Sequence, residues 1–79
     1  MMPDDRLAAE RLASELGVTI TVNDRVLSAE APHGYVWQHG RSMLVIAHQD
    51  CAELWSTLLR QMRDGLRKVK PGEAPRHPR

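Results

Sequence analysis

Met43-Leu44-Val45-Ile46-Ala47 is the most apolar run in the chain, and it constrains the fold more than any other stretch. Five residues are too few for a buried helix, and the β-branched content suits a strand. The run sits between a turn signal, His39-Gly40, and an amphipathic helical pattern that begins at Cys51. Gly34 to Leu66 therefore reads as the organising unit: a hairpin that runs straight into a helix.

Seventy-nine residues allow one domain with a thin core. The hydrophobic share of 42% argues against a wholly disordered chain. Tyr35, Trp37 and Trp55 are the only aromatic residues, so each is expected to have a definite place. The single cysteine, Cys51, excludes an internal disulfide, and with no leader or long apolar span in view the expected compartment is the cytoplasm.

Pro3-Asp4-Asp5 has the chemistry of a helix start, and Gly17 that of a helix end. Between them Ala8, Ala9, Leu12, Ala13 and Leu16 share one face, with Leu7 on the other side. Val18 to Val22 alternates strictly, and Asn23-Asp24 reads as a two-residue hairpin turn. That turn sets Val22 against Arg25 and Ile20 against Leu27. Val18, Ile20, Val22, Leu27 and Ala29 then face inward, while Thr19, Thr21, Val26, Ser28 and Glu30 face out.

After the break at Pro32 and Gly34, a second hairpin is expected around His39-Gly40, pairing Trp37 with Ser42 and Tyr35 with Leu44. Asp50 with Glu53 opens the second helix as a capping box. Its stripe runs Cys51, Leu54, Trp55, Leu58, Leu59, Met62, Leu66 and Val69, so the helix is expected to pass Gly65 and reach Val69. The fold class is α+β in the order α-β-β-β-β-α: a two-layer sandwich, with two helices on one face of an antiparallel sheet of three to four strands. The compact domain is expected over residues 1–70, with a disordered tail over 71–79.

This arrangement leaves one surface unbalanced. The second hairpin is apolar on both sides, Tyr35, Trp37, Leu44 and Ile46 on one and Val36, Met43, Val45 and Ala47 on the other, while helices cover a single face. Three or four large apolar side chains left in water, at roughly 1.5–3 kcal/mol each, are a material liability. Tyr35, Trp37, Val36, Met43 and Val45 are therefore the candidate partner-binding residues, with Tyr35 and Trp37 expected outward as aromatic anchors.

The remaining chemistry is thin. His33, His39, His48 and Cys51 lack the spacing of a zinc module, so neither metal nor cofactor is expected. Cys51 beside His48 has no orienting group or oxyanion donors, and no enzyme activity is expected. Residues 1–59 carry four Lys/Arg and eight Asp/Glu, a net of −4, whereas residues 60–79 carry seven and two, a net of +5. Arg60, Arg63, Arg67, Lys68 and Lys70 make up most of the basic end. Cations at a helix C-terminus are ordinary, and Arg60 can pair with Asp64. The same residues are the candidate nucleic-acid surface of the alternative function. No lysine cluster opens the second helix, as it would in a double-stranded RNA-binding domain; Asp50 and Glu53 stand there.

The expected function is that of a small non-enzymatic protein that docks on a larger protein or complex, or on a second copy of itself. Inhibitors of host defence made by phages and mobile elements, anti-CRISPR proteins included, are one class of such chains; adaptors and accessory subunits of larger complexes are another.

Overall fold

The structure is a computed structural model, and it describes Asp5 to Glu73. The elements are α1 (Asp5–Leu16), β1 (Thr19–Asn23), β2 (Val26–Glu30), β3 (Tyr35–Trp37), β4 (Met43–Ala47), α2 (Cys51–Asp64) and β5 (Leu66–Lys68). Two helices and small antiparallel sheets make the expected α+β fold, with a short fifth strand added at the end. Pro3 and Asp4, proposed as the start of the first helix, lie outside the described residues.

α1 stops where glycine allows it. Gly17 takes a φ of 85°, and its N–H and that of Val18 both donate to the Ala13 carbonyl. Ala9 and Ala13 are buried, with Ala8 and Leu12 packed at the margin. Small side chains on this face let α1 lie close against α2, which contributes the buried Leu54, Trp55, Leu58, Leu59 and Met62.

β1 and β2 form the first hairpin, with its turn one residue later than Asn23-Asp24. Asp24, at a φ of 57°, and Arg25 make the turn, so Val22 pairs with Leu27 and Ile20 with Ala29. Moving the turn by one residue slides the pairing by two, a whole pleat repeat, so every side chain keeps its expected face. Val22, nearest the turn, is nevertheless 47% exposed.

The second hairpin does not form. β4 pairs antiparallel with β2, Leu27 against Ile46 and Ala29 against Leu44, giving a three-stranded sheet of order β1-β2-β4. β3 instead pairs with β5, Trp37 against Leu66 and Tyr35 against Lys68. The turn at Gly40, φ 83°, survives only as a tight link in which Gly40 N–H donates to the Trp37 carbonyl and Trp37 N–H to that of Arg41. β2 wins because it offers five residues of register and completes one apolar face; β3 offers three.

α2 ends at Asp64 rather than Val69. Gly65 N–H donates to the Gln61 carbonyl at 2.6 Å, and a Cβ on Gly65 would stand 2.9 Å from that same oxygen. The backbone there leaves the helix because the C-terminal segment gains a strand partner in β3. Beyond β5, Pro71 and Gly72 turn the chain, and Glu73 folds back onto Arg67, so the folded body passes the boundary expected at Lys70. The rest of the expected tail lies outside the described residues.

Candidate functional site

Burial divides the five candidate partner-binding residues. Trp37 is 1% exposed and Val36 fully buried, so the expectation of Trp37 as an outward anchor is corrected. The physical cause is the indole N–H, which donates to the carbonyls of Ala29 at 3.1 Å and Ser42 at 3.2 Å. Those oxygens lie on β2 and just before β4, so Trp37 reaches inward and stitches the two strands together, with its polar atom satisfied. Tyr35 is half-buried.

Met43 and Val45 lie on the open side of the sheet, the reverse of the facing expected with Tyr35 and Trp37 outward. Leu44 and Ile46 pack toward the helices, so the alternating residues Met43, Val45 and Ala47 point the other way. Val45 is 54% exposed, Ala47 is exposed and Met43 half-buried. Cross-strand pairing sets Val26, 41% exposed, beside Ala47, and Ser28 beside Val45. A shallow depression lined by Arg25, Val26, Ala47, His48 and Gln49 continues the stripe past the end of the sheet. Across the outer face the side chains grade from Thr19, Thr21 and Asn23 on β1 to wholly apolar on β4. Val26 and Ala47 are the members missing from the expected set; the outward phase of Val26 was readable, but not that β4 lies next to it.

The basic residues are dispersed. Arg60 and Arg63 are exposed on α2, whereas Arg67 and Lys68 belong to β5 and Lys70 to the turn after it. Arg67 makes a two-pronged ion pair with Glu73 at 2.8 and 2.9 Å, and the Lys70 N–H donates to the same carboxylate at 3.0 Å. The expected Arg60–Asp64 pair is not formed; among the described residues the ion pairs are Arg67–Glu73 and Arg6–Glu10. Arg6 also lies over the Trp55 ring, 5.3 Å from its centre.

The Arg67 guanidinium, with help from the Lys70 N–H, holds the Glu73 carboxyl at about 2, below its ordinary 4.5. A carboxyl depressed in the folded state stabilises the fold above its unfolded value and loses that contribution as pH falls toward the folded value. Stability should therefore fall as pH drops from about 4.5 toward about 2, and Glu73→Gln should flatten that part of the profile. Urea denaturation across this range checks it, and an unchanged slope in the variant would show that the acid loss comes from other groups.

Cys51 is exposed rather than on the buried stripe. His48 Nδ1 accepts the Asp50 N–H at 2.9 Å, while Asp50 Oδ1 accepts the Ala52 N–H at 2.9 Å. His48 thus takes the bond that a capping box would have assigned to Glu53, and it begins the helix instead of a catalytic pair. No group of three or more His, Cys, Asp or Glu side chains is placed to hold a metal among the described residues. No described helix is long and apolar enough to cross a membrane.

No protein-family model, curated protein or solved structure matches this chain.

Proposed function

We propose that this is a small non-enzymatic binding protein that docks on a larger protein through the outer face of its sheet. One observation carries the reading: Val26, Met43, Val45 and Ala47 lie together on a face that neither helix covers. Apolar side chains gathered on one edge of an otherwise polar face are more than the scattered exposed residues of an ordinary surface. Inhibition of a larger assembly, as a phage-encoded anti-defence protein would exert it, is one use of such a face; a place as an accessory subunit is another.

The nucleic-acid alternative has less behind it. Arg67 is committed to Glu73, and the other cations are divided between a helix, a strand and a turn. Ionic strength separates the two readings, since phosphate contacts weaken steeply with salt and apolar docking does not.

Val26→Lys is the decisive substitution, because it changes the face and leaves the core alone. Burial of a valine is worth roughly 1.5–3 kcal/mol, so a partner captured by the natural chain should bind the variant about tenfold or more weakly. Both forms should melt alike. Capture that ignores Val26→Lys but disappears with Arg60→Glu and Arg63→Glu would transfer the function to the basic residues.

A further inference from the structure

We propose that the free edge of β4 is a strand-addition site for a second copy of this chain, pairing β4 with β4 antiparallel about a two-fold axis at Val45. The inference concerns the strand's backbone rather than the apolar side chains of the docking face, so it holds or fails separately from that reading.

The backbone of β4 sets which groups are available. Ala31 N–H donates to the Ser42 carbonyl at one end of the β2–β4 ladder, and His48 N–H to the Arg25 carbonyl at the other. Antiparallel bonds alternate, so Leu44 and Ile46 are the residues bonded to β2. Met43, Val45 and Ala47 then aim their N–H and C=O groups away from it. Among the described residues no other hydrogen bond reaches those groups.

Natural edge strands are protected by charge, proline, a bulge or brevity. β4 has none of these: its five residues are all apolar and in regular register. β1, the opposite edge, alternates with Thr19, Thr21 and Asn23 and turns only Ile20 and Val22 outward along its backbone. Leu44 and Ile46 are half-buried while their partners Ala29 and Leu27 on the central strand are fully buried, as expected where an outer neighbour is lacking.

The edge is complementary to itself. Antiparallel pairing centred on Val45 sets Met43 against Ala47 of the second copy and Val45 against Val45, with two N–H to carbonyl bonds at each pair. The free run stops at Met43, because the Arg41 carbonyl before it already accepts the Trp37 N–H, so the pairing is confined to Met43, Val45 and Ala47. The product is a continuous sheet of order β1-β2-β4-β4-β2-β1, with its apolar outer stripe doubled in width.

Light scattering of the purified full chain over a concentration series tests the pairing. The natural chain should approach twice its 8.9 kDa mass. Val45→Lys, which sets two ammonium groups face to face at the axis, should stay at the single-chain mass. Val45→Pro should do the same, because the N–H it removes points to the free edge and serves no bond within one copy. A single-chain mass for the natural protein at every concentration overturns the proposal, as does a doubled mass in both variants. Should either variant lose its far-ultraviolet spectrum, hydrogen exchange of the natural chain decides: slow exchange at the Val45 amide supports pairing, and fast exchange refutes it. Val26→Lys lies one strand inward and should keep the doubled mass, so loss of docking and loss of pairing are read apart.

Discussion

Trp37→Ala should unfold the protein or bring it to the margin. Removing a buried tryptophan costs about 3–5 kcal/mol. A domain this small has little beyond that to lose, because whole-domain stabilities run about 5–15 kcal/mol and shrink with size. Trp37 is also a cross-link, since its N–H bridges the carbonyls of Ala29 and Ser42 where β2 meets the approach to β4. Trp37→Phe separates the two contributions. It keeps most of the ring while removing the donor, and should cost nearer 1 kcal/mol. The Ser42 carbonyl keeps the Ala31 N–H in that variant, so it is not left bare. Urea denaturation of both variants measures the difference. An alanine variant that melts like the natural chain would show that Trp37 is not a core residue.

Leu58→Ala should destabilise by roughly 2–5 kcal/mol. Leu58 has no exposed surface and sits at the middle of α2, among Leu54, Trp55 and Met62. Here α2 meets both α1 and the inner face of the sheet, so the cavity would have helix backbone on one side and strands on the other. Neither can collapse easily into it. The denaturation midpoint should fall while the slope is retained, which distinguishes a packing defect from loss of compactness. A loss below about 0.5 kcal/mol would be incompatible with the usual cost of such a cavity and with packing of the helix on the sheet.

What could be read from the chain without coordinates follows the range of each interaction. Gly17 as the end of α1, Asp50 at the start of α2 and the Leu54-Leu58-Met62 stripe are local signals, and each gave the right element. The facing of β1 and β2 is nearly local too, and holds although the turn lies one residue later, because the pairing then slips by two residues. The failures lie where a strand had to choose a partner. β3 and β4 are apolar on both sides, so alternation could not separate pairing of β4 with β3 from pairing with β2. The inward position of Trp37 escapes the sequence because its hydrogen-bond acceptors come from Ala29 and Ser42, and adjacency of those two is a product of the fold. Leu66 and Val69 fit a helical stripe as well as a strand, and only the presence of β3 decides between them. Met43 and Val45 stand among the candidates, but an outward Tyr35 and Trp37 puts them under the helices, and pairing of β4 with β2 reverses that facing.

The ribbon of β3 with β5 has a consequence for how the molecule comes into being. Tyr35–Trp37 precedes α2 in the chain and Leu66–Lys68 follows it, so α2 is enclosed like a span between two halves of a clasp. During synthesis from the N-terminal end, Trp37 emerges early, but the strand that completes its surroundings is among the last described segments to appear. Assembly has to wait for that late arrival, and a chain cut after Asp64 would carry the helix while leaving β3 without a mate.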